Sequence, residues 1–175
     1  MKTSSRKIHH HPSYYSKKEE QLNVVSHGLG LILSLIGFCF LLHKSIQLNQ
    51  FDILAAYIIY GFSLILLYAA STAYHYAKDR KLRYQLNILD HAAIFVLIAG
   101  TYTPFTLLAL PESTGQSILY LVWGIALLGV ILKLFFTGRF NIVSTLLYVG
   151  MGWIILLVYE PLNAALSQEG LFLLF

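Results

Sequence analysis

Charge is scarce in this chain of 175 residues: Asp, Glu, Lys and Arg make up 11% of it, against 57% hydrophobic residues and a mean hydropathy of +0.67. A soluble domain carries about a quarter charged residues. A soluble enzyme is therefore excluded, and the composition is that of a polytopic membrane protein. Cysteine is nearly absent. Cys39 stands alone, which rules out an internal disulfide and leaves an apolar packing role in mid-span. No strict G-x-x-x-G occurs either, although Gly28 with Gly30 and Gly150 with Gly152 permit close helix contact.

What the chain does have is apolar length. Windows at Leu22 to Leu42, Ile53 to Tyr76, Leu89 to Leu110, Ile118 to Phe136 and Ile142 to Tyr159 each come near the roughly 20 residues that a spanning helix needs. An all-α transmembrane helix bundle with five full spans follows. The first run is too long for the apolar core of a signal peptide and has no cleavage site after it. After the fifth span, Pro161 to Gly170 reads as a loop. LFLLF then opens a sixth apolar segment that stops at Phe175, so the sequence reads as a fragment whose transmembrane domain, 19–175, is incomplete at its C-terminus. Residues 1–18 read as a polar cytoplasmic tail, in which His9, His10 and His11 are more simply solvated than metal-binding.

Orientation follows from the cations. Lys2, Arg6, Lys7, Lys17 and Lys18 precede the first span, Lys78, Arg80, Lys81 and Arg83 follow the second, and Arg139 follows the fourth near Lys133, while Lys44 alone lies on the opposite side. The bias predicts a multi-pass protein of the cell membrane with a cytoplasmic N-terminus. The net charge of +4 then reflects a basic face against anionic lipid, and no nucleic-acid partner is implied. Tyr14, Tyr15, Tyr74, Tyr76 and Tyr84 fit an interfacial belt.

Ionisable groups inside apolar segments are costly and mark function by default. In this topology Glu20, Asn23 and His27 of the first span, Ser71 and His75 of the second, and Asp90 with His91 of the third all fall near one membrane border. Ser71 and His75 are four apart, on one helical face, and Glu20, Asn23 and His27 form a second stripe. His75 suits a metal ligand, but also a residue at a helix C-terminus. Asp90 suits a group that orients a metal-bound water, but also a helix cap. His91 points about 100° away from Asp90 around the helix. The Glu20, Asn23 and His27 stripe reads equally as a supporting polar network.

The segments EEQLNVVSHGLG, STAYH and LDHAAIFVLIAGTYTPF, in that order and at matching helix ends, resemble the signatures of the hemolysin III family, the bacterial branch related to the progestin and adipoQ receptors. The resemblance implies a seven-helix membrane fold with an intramembrane zinc, His75 as a zinc ligand, Ser71 and Asp90 beside the metal, and two further imidazoles from an H-x-x-x-H on a seventh helix. No H-x-x-x-H is present, so the site is expected to be incomplete in this chain. The resemblance favours a zinc-dependent hydrolase acting on lipid-like amides or esters, with membrane lipids as partners. A pore-forming cytolysin and a non-catalytic sensor of membrane lipids are the competing functions. A pore would need a polar lining across the membrane, whereas the polar residues cluster at one border. Pro104 in TYTPF predicts a hinge in the third span, with Thr101 and Thr103 taking up freed carbonyls.

Overall fold

A computed structural model describes residues 15–136 and 140–174. The His9–His11 tract, Tyr14, Arg139 and Phe175 lie outside the described residues. Among those described, every regular element is helical: α1 (Lys17–Leu48), α2 (Phe51–Tyr76), α3 (Arg80–Leu108), α4 (Glu112–Phe136), α5 (Asn141–Trp153), a 3-10 segment (Ile154–Val158), α6 (Tyr159–Ala165) and α7 (Gln168–Leu174). Five stretches are long and apolar enough to cross a membrane, the fifth running from Asn141 to Ala165 through the 3-10 segment. The five-span bundle read from hydropathy is the architecture found.

The helix ends differ from the sequence reading, for local reasons. α1 starts at Lys17 because Ser16 and Glu19 form a reciprocal capping box. It runs past Lys44 to Leu48, where Asn49 takes the left-handed conformation (φ 49°) and returns its N–H to the Ser45 carbonyl. α3 begins at Arg80, ahead of its apolar window. Its cap is Asp79, whose Oδ1 accepts from Leu82 N at 2.8 Å, so Asp90 sits ten residues inside the helix and is not a cap.

Neighbouring helices in sequence are neighbours in space: α1 packs on α2, α2 on α3 and α3 on α4, while α5 closes against α3 and α4. α3 is the central element, with 44% of its spanning window buried against 6% for α1. Its Phe95 and Ala99 join Val122 and Ala126 of α4 with Met151, Val158 and Leu162 in the core. α3 continues through Pro104, and the Thr101 and Thr103 hydroxyls donate to the carbonyls of Leu97 and Ala99.

The fifth span departs most from expectation. Pro161 is helical, in the first turn of α6, where its missing N–H is tolerated, so Pro161 to Ala165 prolong the span rather than forming a loop. The span is interrupted upstream instead. The Tyr102 hydroxyl donates to the Met151 carbonyl (2.7 Å) and accepts from the Ile155 amide (2.8 Å), two groups that bond to each other in an unbroken α-helix. A side chain inserted into the ladder breaks it, and the 3-10 segment results.

Candidate functional site

Antiparallel packing brings the start of α1, the end of α2 and the start of α3 to one end of the bundle, which also carries Lys17, Lys18, Lys78, Arg80, Lys81 and Arg83. At this basic end the centre of the polar layer is His75. Its Nδ1 lies 2.8 Å from Glu20 Oε2, and Arg83 Nη2 pairs with the other oxygen, Glu20 Oε1. The His75 side chain is 7% exposed, Arg83 12% and Glu20 21%. The triad is shielded enough for its geometry to matter.

The chemistry of the triad fixes the imidazole. A carboxylate held by a guanidinium is ionised and only accepts, so the proton of the short contact is on His75 Nδ1. In the neutral ring, Nε2 then carries the lone pair. Arg83 is itself fixed by donating from Nη1 to the carbonyls of Tyr74 (3.3 Å) and Ala77 (3.4 Å), and its guanidinium carbon lies 4.6 Å from the Tyr74 ring centroid. Arg83 thereby ties the end of α2 to α1 and α3 at once.

Three other groups surround His75. The Asn23 amide nitrogen is 3.4 Å from Nδ1, the His27 ring lies 5.6 Å away edge-on, and Tyr15 lies 5.5 Å away. His27 Nδ1 is buried with no hydrogen-bond partner among the described residues. The stripe of Glu20, Asn23 and His27 thus converges on His75. Ser71 is buried one turn before His75.

The third helix contributes differently. Asp90 is half-buried, while beside it the hydroxyl of Tyr148 on α5 donates to the His91 carbonyl at 2.8 Å. Among the described residues no hydrogen bond or ion pair joins Asp90 to His75 or Ser71. His91 turns its Nδ1 to the Asn87 carbonyl, at 2.8 Å. No group of three His, Cys, Asp or Glu among the described residues is placed to hold a metal ion. His75 fits a single ligand, with the carboxylate-backed ring typical of metal-binding histidines, and the described residues do not complete a three-donor set.

Arg83 and Tyr148 were not singled out as site residues by sequence. A half-buried Glu20 calls for a cation, and that was the available signal for Arg83. The positive-inside bias already accounted for the loop cations, which concealed it.

The comparisons agree with these motifs. Residues 15–175 match the family model described as Haemolysin-III related. The chain is 41% identical over 161 residues to the Hemolysin-3 homolog of Bacillus subtilis, covering 92% of this chain and 76% of that one. It is also 41% identical over 157 residues to the Hemolysin-3 of Bacillus cereus, covering 90% and 72%. The human monocyte to macrophage differentiation factor is 23% identical over 150 residues, covering 83% and 62%. No solved structure matches. With the family model spanning the whole described bundle, this chain belongs to the haemolysin-III related family of membrane proteins.

Proposed function

We propose that the protein is a membrane hydrolase of the amide or ester class, acting on a lipid-like substrate at the basic end of the bundle, with zinc held in part by His75. The observation that carries this reading is the Arg83–Glu20–His75 relay, which presents Nε2 as a ready electron-pair donor. When bound, zinc would supply a Lewis acid and a water of lowered pKa. The remaining donors would come from the H-x-x-x-H that the family resemblance implies and that this sequence does not contain. Ser71, buried one turn from His75, is assigned to steady a substrate oxygen. Asp90, half-buried and without an ion pair among the described residues, is assigned as proton acceptor. The concentration of cations at this end supports a cytoplasmic orientation for it, by the positive-inside bias.

The test uses the protein purified in detergent as its host makes it. About one zinc per chain is expected after chelator washing, lost in His75→Ala. Asp90→Asn should retain the metal and lose turnover of lipid amides or esters by about 10²- to 10⁴-fold. Tight zinc that survives His75→Ala unchanged overturns the ligand assignment, and zinc binding with no turnover of any lipid amide or ester overturns the hydrolase.

A further inference from the structure

Beside His75 the basic end opens into a cavity of about 880 Å³ between the start of α1 and the α2–α3 turn. Its floor is Glu20, His75 and Arg83, where the charge of the one carboxylate is already balanced by the Arg83 guanidinium. Its rim carries Lys17 and Lys78, both exposed and neither ion-paired among the described residues. The cavity is therefore net positive, with two ammonium groups uncommitted. Tyr15 and Tyr76 also line it, each with a phenol suited to the interface between water and lipid.

The remaining wall is apolar. Val24 and Val25 of α1 line it. Val25 is 69% exposed and belongs to a stripe with Leu22 and Leu29 that is also exposed, at the three- and four-residue spacing of a single helix face. One wall thus runs without a break from the cationic rim onto the outward apolar face of the bundle. A soluble anion would use the rim alone. An amphiphile uses both.

We propose that this cavity is a binding site for an anionic phospholipid, with the phosphate between Lys17 and Lys78 and the acyl chains along the Leu22, Val25 and Leu29 stripe. The inference rests on the reading that the His75 site works on lipids, and it names the class of lipid: one bearing a phosphate headgroup. Lys17 and Lys78 hold the headgroup at the rim, which brings the glycerol region to the depth of His75. The four-carbon stems of the lysines reach the phosphate while their ammonium groups stay hydrated.

The experiment measures binding to the intact protein in detergent by native mass spectrometry, with short-chain phosphatidylglycerol, matched phosphatidylcholine and inorganic phosphate as probes. Phosphatidylglycerol should bind in preference to phosphatidylcholine, and Lys17→Gln/Lys78→Gln should weaken it by about tenfold or more. Arg80→Gln/Lys81→Gln removes the same charge from outside the cavity and should change binding less than about twofold. Lys17→Arg/Lys78→Arg should restore it, which separates loss of charge from loss of fold. Equal weakening by the two neutralised pairs, or no preference over phosphatidylcholine, overturns the site. Inorganic phosphate binding as tightly as the lipid overturns the lipid as its source. Because the readout is occupancy, a protein that binds phosphatidylglycerol but hydrolyses nothing removes the proposed activity and leaves this inference standing.

Discussion

His75 and Glu20, 55 residues apart in the chain, meet through a hydrogen bond of 2.8 Å between Nδ1 and Oε2, and this bond joins α1 to α2 at the basic end. Glu20 in turn receives Arg83. One carboxylate therefore closes the contact among three helices and orients an imidazole.

Breaking that carboxylate should cost more than removing its whole ion pair. Glu20→Ala leaves Arg83, only 12% exposed, without its partner, at a cost of about 3–5 kcal/mol. Glu20→Met/Arg83→Met removes both charges and should be more stable than either single methionine variant. Thermal melting in detergent of the four proteins gives the coupling, and additive losses would show that the pair is not a unit.

Glu20→Gln separates orientation from charge. The amide oxygen can still accept from Nδ1, but more weakly, so zinc retained at His75 should weaken by about 10- to 100-fold. Competition with a chelator of known affinity reads this directly. An unchanged affinity would detach the relay from the metal.

The Tyr102 hydroxyl sits between the Met151 carbonyl and the Ile155 amide. Tyr102→Phe should lower stability by about 1–3 kcal/mol through the unpaired amide, and amide exchange at 154–158 should accelerate. Exchange that slows instead would mean that the ladder closes on its own and the 3-10 segment disappears.

A Cβ at Gly115 would strike the backbone carbonyl of Thr106, which cannot swing aside as a side chain would. Gly115→Val should cost about 1–3 kcal/mol by pushing α4 from α3. Gly124→Ala, where a Cβ meets nothing, is the control for the same melt.

The spans were legible because hydropathy over some twenty residues averages out local detail. Their ends were not. α3 begins nine residues ahead of its apolar window because Asp79 caps a polar first turn, and the fifth span outlasts its apolar run because Pro161 is harmless in a first turn. Within the polar layer, the spacing of Glu20, Asn23 and His27 revealed a stripe at the depth of Ser71, His75 and Asp90, but that it converges on His75 was seen only in the structure. The 3-10 interruption had no signal of its own, since it depends on a phenol from a helix 49 residues upstream of Met151.

The first helix has 32 residues, about 48 Å at 1.5 Å per residue, whereas the hydrocarbon layer is about 30 Å thick. The surplus must be taken up by tilt or by turns standing clear of the membrane. α1 packs along α2, and tilt is set by such packing together with interfacial anchors. Glu20 lies in the first turn of this helix, so a tilt that α1 and α2 share as a packed pair leaves intact the bond that aims His75.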